Sequence, residues 1–461
     1  MLTDKITAYK PKLSGHTELR FQRNMNRQVA LIAGNVMANG FTEQSGVSAR
    51  VYSGGYWGFS SAAEYDDASI ASVLRAAERN AEFLTSRLGS PRPALPALPP
   101  RKLTSKITGY NDAEQKYLLD FAKEIDARIV EKYPKLTSRT ISARSDCTDK
   151  YLVTSDGADV YSVKPRSGVI AVLTAEAADG SNVEVFDYLG GGAGFFGELF
   201  TKPDLLYAKL DEVYEHVMKK AEGVFASAGT AEVVMDSNLA GILAHEAIGH
   251  TVEADLVLGG SVAGPFLGKP VASEIVTLTD FAHTALGADL PQSVFVDDEG
   301  TVAKDAELIK DGVLVGYMHN RESAERFGHE PTGNARAYCF SDEPLIRMRN
   351  TAILPGKDKL ADMIASVDDG YYLVQTGNGQ ADLTSEFMFG VTMGYEIKKG
   401  KLGRAIRDTT ISGVAFDLLK TVTMLSDEMT WASGGMCGKK QQIAVGMGGP
   451  SVKCRVNIGG K

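Results

Sequence analysis

Cysteine is scarce in this chain of 461 residues, which contains only Cys147, Cys339, Cys437 and Cys454. No two of them form a CxxC pair. Cysteines this few and this widely spaced do not build a disulfide framework. We therefore expect free thiols in a reducing compartment, available for packing or for binding a metal.

Long apolar segments and an excess of basic residues are also missing. No stretch approaches the roughly 18 uncharged apolar residues of a membrane-spanning helix, and the amino-terminal segment lacks the apolar core of a signal peptide. We therefore expect a cytoplasmic protein with no membrane partner. Because Asp and Glu (58) outnumber Lys and Arg (49), the net charge of −9 gives no attraction to nucleic acid, and no basic block changes that locally.

Glycine is abundant, with 48 residues, which predicts many tight turns and a large β component. Near residue 228 the pattern changes from long amphipathic helices between strands to mostly short strands. We therefore predict two domains, 1–228 and 229–461, with a proline-rich connector at 90–101 inside the first. The predicted fold class is α+β: an N-terminal sheet with long helices, then a β-rich C-terminal domain.

Hydrophobic periodicity and turn residues predict the individual elements. Helices are predicted at 66–88, 112–132, 203–224 and 414–425, and another is predicted to begin with Ser237 or Asn238 as its cap. Asp67 is the predicted cap of the first of these helices. Strands are predicted at 17–21, 29–33, 45–52, 160–163, 169–175 and 231–235.

The segment LAHEAIGHTVEAD, residues 243–255, places His245 and His250 on either side of Glu246. In an HExxH zinc helix, the two imidazoles share one helix face. Here the histidines are five residues apart, a rotation of about 500°, which leaves their rings roughly 140° apart on a regular α-helix. A shared metal therefore requires a local bulge or a helix end, and Gly249 is where such a distortion costs least.

Two interpretations of this segment remain open at this point. In the first, both histidines are half-buried on an ordinary helix and Glu246 is solvated. In the second they bind a metal, which accounts for a carboxylate in an apolar stretch, where an unpaired charge is costly. A catalytic zinc takes three protein ligands and keeps one position open, so a third ligand is needed; Glu253 or a cysteine thiolate can supply it.

Several further motifs occur in a fixed order along the chain. They are ARVYSGGYWGFSSA (49–62), HEAIGHTVEAD (245–255), FVDDEGT (295–301), IKDGVLVGYMHNRESAERFG (309–328), PTGNARA (331–337), RMRNT (347–351) and GMCGK (435–439). Together they resemble the TldD/PmbA family of metallopeptidases over essentially the whole chain. The intact histidine–glutamate motif resembles the TldD side of that family, because the PmbA/TldE-like partner lacks it.

The resemblance implies a Zn²⁺ site made by His245, His250 and the cysteine of GMCGK, Cys437. Cys454 lies in an alternating strand pattern, where a packed thiol is the better interpretation. Glu246 is then the general base of peptide-bond hydrolysis, and Glu253 orients a ligand imidazole. Four residues of the family-like loops are candidates to stabilise the oxyanion or to bind substrate, although each is individually more typical of a structural role: His319, Arg321, Asn334 and Arg336.

The resemblance also implies a dimer, either of identical subunits or with a PmbA/TldE-like homologue, and a short, unfolded or modified peptide as substrate. The alternative function is a non-catalytic peptide-binding or scaffold subunit of such a dimer. An old description of the family as a modulator of DNA topology is disfavoured by the net charge of −9.

Other candidate motifs are interpreted as structural. The GxGxxG match at 192–197 is interpreted as a flexible loop over a site, with Phe195 and Phe196 as apolar contacts, because no helix opens directly on the glycines. Four histidines outside the motif are interpreted as non-ligands: His216 on an amphipathic helix, and His16, His283 and His329 in polar loops.

Overall fold

A seven-stranded sheet organises the first part of the chain. The computed structural model describes residues 2–13, 15–89, 94–96, 98–106, 113–381, 383–432 and 434–460. The strands of the first sheet are β1 (His16–Ile32), β2 (Asn35–Ser53), β3 (Tyr56–Ala62), β4 (Arg101–Lys106), β5 (Leu136–Thr154), β6 (Ala158–Glu176) and β7 (Asn182–Ala193). Their order is β3-β2-β1-β5-β6-β4, and β7 also pairs with β6.

Helices cover one face of this sheet. They are α1 (Leu2–Tyr9), α2 (Asp67–Leu88), α3 (Gln115–Lys132), the single turn α4 (Phe196–Leu199) and α5 (Tyr207–Ala221). Helix α2 packs on β2 and β3 and shares an apolar cluster with Leu19 and Phe21 of β1. Helix α3 packs on β1 and β5, and α5 packs on β6 and β7, in a second cluster that includes Val29 and Leu31 at the other end of β1. Leu19, Phe21, Val29 and Leu31 therefore lie on one helix-covered face of β1, as strand periodicity requires.

The opposite face of β1 is polar but also buried. Arg20 donates a hydrogen bond to the carbonyl of Asp342 at 2.6 Å, and Gln22 donates one to the carbonyl of Tyr338 at 2.5 Å. Both acceptors lie far along the chain, in the C-terminal part. Over residues 18–22, the alternation of β1 thus separates two buried faces, one against helices and one against the C-terminal part.

A twelve-stranded sheet and two small ribbons form the C-terminal part. The strands are β8 (Gly229–Met235), β9 (Leu278–Phe281), β10 (Thr284–Ala285), β11 (Ala288–Asp289), β12 (Ala306–Lys310), β13 (Val313–Leu314), β14 (Ala335–Arg336), β15 (Leu345–Ile346), β16 (Asn350–Ile353), β17 (Asp369–Ala381), β18 (Glu386–Lys398), β19 (Lys401–Ile406), β20 (Thr409–Val414), β21 (Met424–Trp431), β22 (Gly435–Cys437) and β23 (Ile443–Gly459). Five of them, β8, β17, β18, β20 and β23, pair in a closed ring, so this part contains a small barrel.

Short helices accompany this sheet. They are α6 (Ser237–Ile242), α7 (Ala254–Leu258), α8 (Arg321–Phe327), α9 (Leu360–Ala365) and α10 (Ala415–Lys420). Helix α6 packs tightly on β23, because a Cβ on Gly241 would lie 2.9 Å from the backbone nitrogen of Gly448. Among the described residues, no helix combines the length and hydrophobicity needed to cross a membrane.

The predicted α+β fold is confirmed, but several element bounds are wrong. The strands predicted at 17–21 and 29–33 are one strand, β1, because the polar residues between them pair with β2 on one side and β5 on the other. The strands predicted at 160–163 and 169–175 are likewise one strand, β6, which continues through Pro165. Polar residues and proline therefore do not mark strand breaks here, because pairing with the neighbouring strands continues through both segments.

Three helix predictions also change. The helix predicted at 203–224 opens with a 3₁₀ turn, Pro203–Leu206, before α5. The helix predicted at 414–425 ends at Lys420, because the β-branched residues after it lead into β21. The cap of α2 is Asp66, whose side chain accepts from the Ser69 amide, rather than Asp67.

Some of the remaining predictions concern residues that lie outside the described ranges. Residue 112, predicted to open a helix, lies outside them, and α3 begins at Gln115. Within the predicted connector, residues 90–93 and 97 are also outside. The first sheet ends at residue 193 and the second begins at residue 229, so the predicted boundary at 228 falls between the sheets; the division into two domains stays a prediction.

Candidate metal centre

The histidine motif lies on a helix that changes its pitch. Asp236, not the predicted Ser237 or Asn238, caps α6 by accepting a hydrogen bond from the Leu239 amide at 2.9 Å. Burial raises the pKa of this carboxyl to about 7, although hydrogen bonds from Leu239 and Asn238 oppose the shift. The helix begins as a regular α-helix from this cap and continues directly toward the two histidines.

After α6, the chain widens into a π-helical turn, Leu243–Gly249. The His250 amide donates to the carbonyl of His245, a hydrogen bond that spans five residues instead of four. A 3₁₀ turn, His250–Val252, then ends the helix. The wider turn compensates for the five-residue spacing, so both imidazoles reach one side, with ring centroids 5.2 Å apart.

Cys437 completes a cluster with these two histidines. One ligand atom from each of His245, His250 and Cys437 lies within 4.8 Å of the other two. The Cys437 sulfur is 3.3 Å from Nε2 of His250. Two imidazole nitrogens and a thiolate form a donor set that suits Zn²⁺.

The sulfur is positioned by strand pairing and by one arginine. Cys437 ends β22 and pairs with Ile443 of β23, which turns its side chain into the molecule. Arg347, buried completely, donates to the carbonyl of Cys437 at 2.8 Å and to the carbonyls of Lys439 and Gln441. Arg347 was not predicted as a site residue, and its only signal was its place in the RMRNT motif.

Glu253 fixes the orientation of His250. Its Oε2 atom is 2.8 Å from Nδ1 of His250 and 3.2 Å from Nζ of Lys439, and the carboxylate is fully buried. A carboxylate at Nδ1 holds the proton there and leaves Nε2 as the donor atom that faces Cys437. Lys439, which sequence reasoning missed, also contacts Asp255 at 2.7 Å.

Glu246 lies beside the cluster but stays accessible. Its Oε2 atom is 3.8 Å from Nε2 of His250, and 23% of its side chain is exposed. The carboxylate therefore lies next to the Nε2 atom of His250 and is partly open to solvent.

The residues present fit a metal ion on two observations. Both ring nitrogens of His245 are buried and make no hydrogen bond with any part of the chain that the structure describes. Burial acts to raise the pKa of the Cys437 thiol, but interaction with the two imidazoles outweighs it and lowers the pKa to about 3. A metal cation binds a deprotonated thiol and an imidazole nitrogen whose lone pair is not engaged in a hydrogen bond, and these two residues offer that pair among the described residues.

Of the other predicted residues, Asn334 and Arg336 support the surroundings of the cluster. Asn334 donates to Asp280 at 2.8 Å and to the carbonyl of Arg347 at 3.0 Å. Arg336 donates to the carbonyls of Met348 and Ala444, the latter at 2.8 Å. Neither contacts His245, His250 or Cys437 by a described hydrogen bond, so both hold the backbone around the site.

His319 and Arg321 have partners elsewhere. His319 lies 3.1 Å from the Ser323 hydroxyl, and burial together with His329 lowers its pKa to about 4. Arg321 is 3.0 Å from Asp156, in the turn between β5 and β6, and 2.9 Å from Nε2 of His16, which begins β1. The structure therefore does not bring these two residues to the cluster.

The GxGxxG match and the four histidines outside the motif were interpreted as structural, and some of those predictions change. The GxGxxG match, 192–197, spans the end of β7 and the start of α4. Phe195 and Phe196 are buried completely, with Phe196 in the helix-covered core, so the flexible-loop prediction is wrong. His16 begins β1 rather than lying in a loop, and none of the four remaining histidines belongs to the described cluster.

Comparison with known proteins defines the family. Three family models match successive parts of the chain. They are PmbA/TldA metallopeptidase domain 1 at residues 17–81, the central domain at 110–222 and the C-terminal domain at 228–460. A metalloprotease TldD homolog of Buchnera aphidicola subsp. Acyrthosiphon pisum is 31% identical, over 96% of this chain and 92% of the relative. A zinc metalloprotease TldD homolog of Saccharolobus solfataricus is 27% identical, over 96% of both chains.

The fold is shared with a solved structure as well. TldE from Thermococcus kodakarensis superposes with a TM-score of 0.76 and 17% identity, covering 100% of this chain and 99% of that one. On these matches, the chain belongs to the PmbA/TldD metallopeptidase family.

Proposed function

We propose that this chain is a zinc-dependent metallopeptidase that hydrolyses peptide bonds in short, unfolded or modified peptides. The observation that carries the proposal is the convergence of His245, His250 and Cys437 within 4.8 Å, with Glu246 at its edge. The zinc metalloprotease name of the relative from Saccharolobus solfataricus supports the choice of metal and reaction.

In the proposed mechanism, His245, His250 and Cys437 hold the metal. Bound zinc supplies Lewis acidity toward the scissile carbonyl and the attacking water. Glu246 takes a proton from that water and delivers it to the leaving amine. Glu253 keeps the Nδ1 proton of His250 in place throughout, so that Nε2 stays a ligand.

The proposed assembly is a dimer, with an identical subunit or with a PmbA/TldE-like homologue. The shared fold with TldE supports a partner of similar architecture. Free buried thiols, one of them a proposed ligand, suit the reducing cytoplasm.

The test combines zinc content with hydrolysis of a mixed set of short peptides. His245→Ala and Cys437→Ser are expected to lose the zinc that the wild type holds at about one ion per chain. Glu246→Gln is expected to keep its zinc while hydrolysis falls by about 10²- to 10⁴-fold, the range for loss of a general base. Cys454→Ala is the matched control, because Cys454 is buried among apolar residues of the barrel and should leave zinc content unchanged.

Full hydrolysis by Glu246→Gln contradicts the mechanism. A metal-free wild type that still binds peptides supports the alternative, a non-catalytic binding or scaffold subunit.

A further inference from the structure

A cavity of about 560 Å³ lies between the N-terminal sheet and the C-terminal part. Strands β1, β5 and β6 form one wall, and residues 289–298, 336–338 and 442–444 form the other. Met436, the residue before Cys437, also lines it. The cavity therefore borders the strand that carries a proposed zinc ligand.

The sheet wall of this cavity is a row of polar side chains. Asn24 of β1 pairs with Thr148 of β5, which pairs in turn with Lys164 of β6. All three line the cavity, as cross-strand neighbours on one sheet face should. Lys164 is half-buried at the end of this row.

Lys164 differs from its cationic neighbours because its ammonium group has no ion-pair partner among the described residues. Lys150 is 2.7 Å from Asp298, and Arg166 is 3.2 Å from Asp146. The Lys164 side chain, in contrast, makes no ion pair or hydrogen bond with the described residues. Burial, Lys150 and Arg336 lower its pKa to about 7, and Asp298 acts the other way.

Arg336, on the opposite wall, also lacks a carboxylate partner within the described chain. It donates to two carbonyls, and its other N–H groups make no hydrogen bond to the described residues. Burial and nearby Arg347 lower its pKa to about 10. Two cationic side chains with no ion-pair partner among the described residues therefore face one partly enclosed space, where an anion gains more from each charge than in water.

We propose that this cavity binds a carboxylate of the peptide substrate, with Lys164 and Arg336 as its cationic partners. The proposal rests on the peptidase function proposed above and narrows its substrates to peptides that carry a suitably placed acidic group. The group is either the free C-terminus or an acidic side chain, since both present the same carboxylate to Lys164.

The experiment compares peptides that differ only in that charge. One cleavable sequence is made with Glu or Gln at each position in turn, and each version as the free acid or the C-terminal amide. For the wild type, removing the relevant carboxylate is expected to raise KM about 10- to 100-fold, the loss of one charge-assisted hydrogen bond, with kcat nearly unchanged. Sensitivity to amidation identifies the C-terminus, and sensitivity to Glu→Gln identifies a side chain.

Variants then assign the effect to Lys164. Lys164→Met is expected to abolish the preference for the charged peptide without changing KM for the neutral one, and Lys164→Arg is expected to retain it. Lys401→Met removes an exposed lysine from another strand, β19, and should behave as the wild type. Circular dichroism of each variant confirms folding.

Binding of fluorescent versions of the same peptides to Glu246→Gln separates this inference from the peptidase proposal. Charge-dependent binding that requires Lys164 supports the inference even where the wild type hydrolyses nothing, a result that would contradict only the peptidase proposal. Equal affinity for charged and neutral peptides, or equal loss of both in Lys164→Met, overturns it.

Discussion

At the scale of single residues, Glu253 is the best-defined support of the proposed ligands. It is fully buried, 2.8 Å from Nδ1 of His250, and shares Lys439 with Asp255. The buried carboxylate accepts the Nδ1 proton of the imidazole and balances the charge of the ammonium group. Removing it leaves both of these groups without their carboxylate partner. The effect of Glu253 on metal affinity can therefore be distinguished from the effect of the carboxylate charge near Lys439.

Glu253→Ala is expected to weaken zinc binding by about 10- to 100-fold, because His250 loses the group that fixes its ring and tautomer. Competition with a chelator measures the affinity. Glu253→Gln, which retains a hydrogen-bond acceptor, should fall between the wild type and the alanine variant.

Asp255→Ala is the matched control, since it removes the other carboxylate at Lys439 without touching His250. Equal weakening by both alanine variants would show that the charge on Lys439, rather than the orientation of His250, matters for the metal.

At the scale of elements, the π-helical turn decides whether the histidines converge. The five-residue spacing of the histidines predicted a distortion of the helix, and glycine made residue 249 the place where that distortion would cost least. The structure gives Gly249 a different role: its φ is ordinary, and a Cβ there would lie 2.0 Å from the sulfur of buried Met348. Gly249 therefore permits close packing against the segment that follows β15.

Gly249→Ala is expected to lower the melting temperature and the zinc content together, because overpacking costs about 1–3 kcal/mol and displaces the adjacent His250. Adding Met348→Ala should restore part of the loss that Gly249→Ala causes, giving a non-additive double-mutant cycle. Gly40→Ala, where a Cβ meets nothing within 4 Å, is the control. Strict additivity of the two substitutions would rule out the clash as the cause.

At the scale of the whole molecule, the acidic loop 297–299 joins the two halves. Asp298 binds Lys150 of β5 at 2.7 Å, and Glu299 binds Arg50 of β2 at 2.6 Å. Arg50 also stacks on Trp57, 3.5 Å from the ring centroid. The FVDDEGT and ARVYSGGYWGFSSA motifs are therefore two sides of one buried contact, and the neighbouring Lys150 and Asp298 line the cavity.

Glu299→Ala is expected to destabilise the protein by about 3–5 kcal/mol, because it leaves the Arg50 charge buried without its closest partner. Chemical denaturation measures the change. Glu330→Ala breaks an exposed pair with Lys304 and should leave stability unchanged within error. An equally small effect of Glu299→Ala would show that the loop does not hold the halves together.

The sequence by itself determined the fold class, the family and the segments that carry the proposed ligands. Local patterns sufficed, since alternation marks strands, and the ordered motifs mark the family. The same patterns predicted a break in β1 that does not exist, because pairing with β2 and β5 overrides local preference there.

Only the tertiary structure decided how these segments meet. The convergence of the histidines with Cys437, the Arg347 hydrogen bond to Cys437 and the place of Lys164 on the cavity wall depend on contacts between residues far apart in the chain. Such contacts leave no period or spacing in the sequence. The sequence therefore identifies the residues that carry the chemistry, whereas tertiary packing sets the distances at which they can act together.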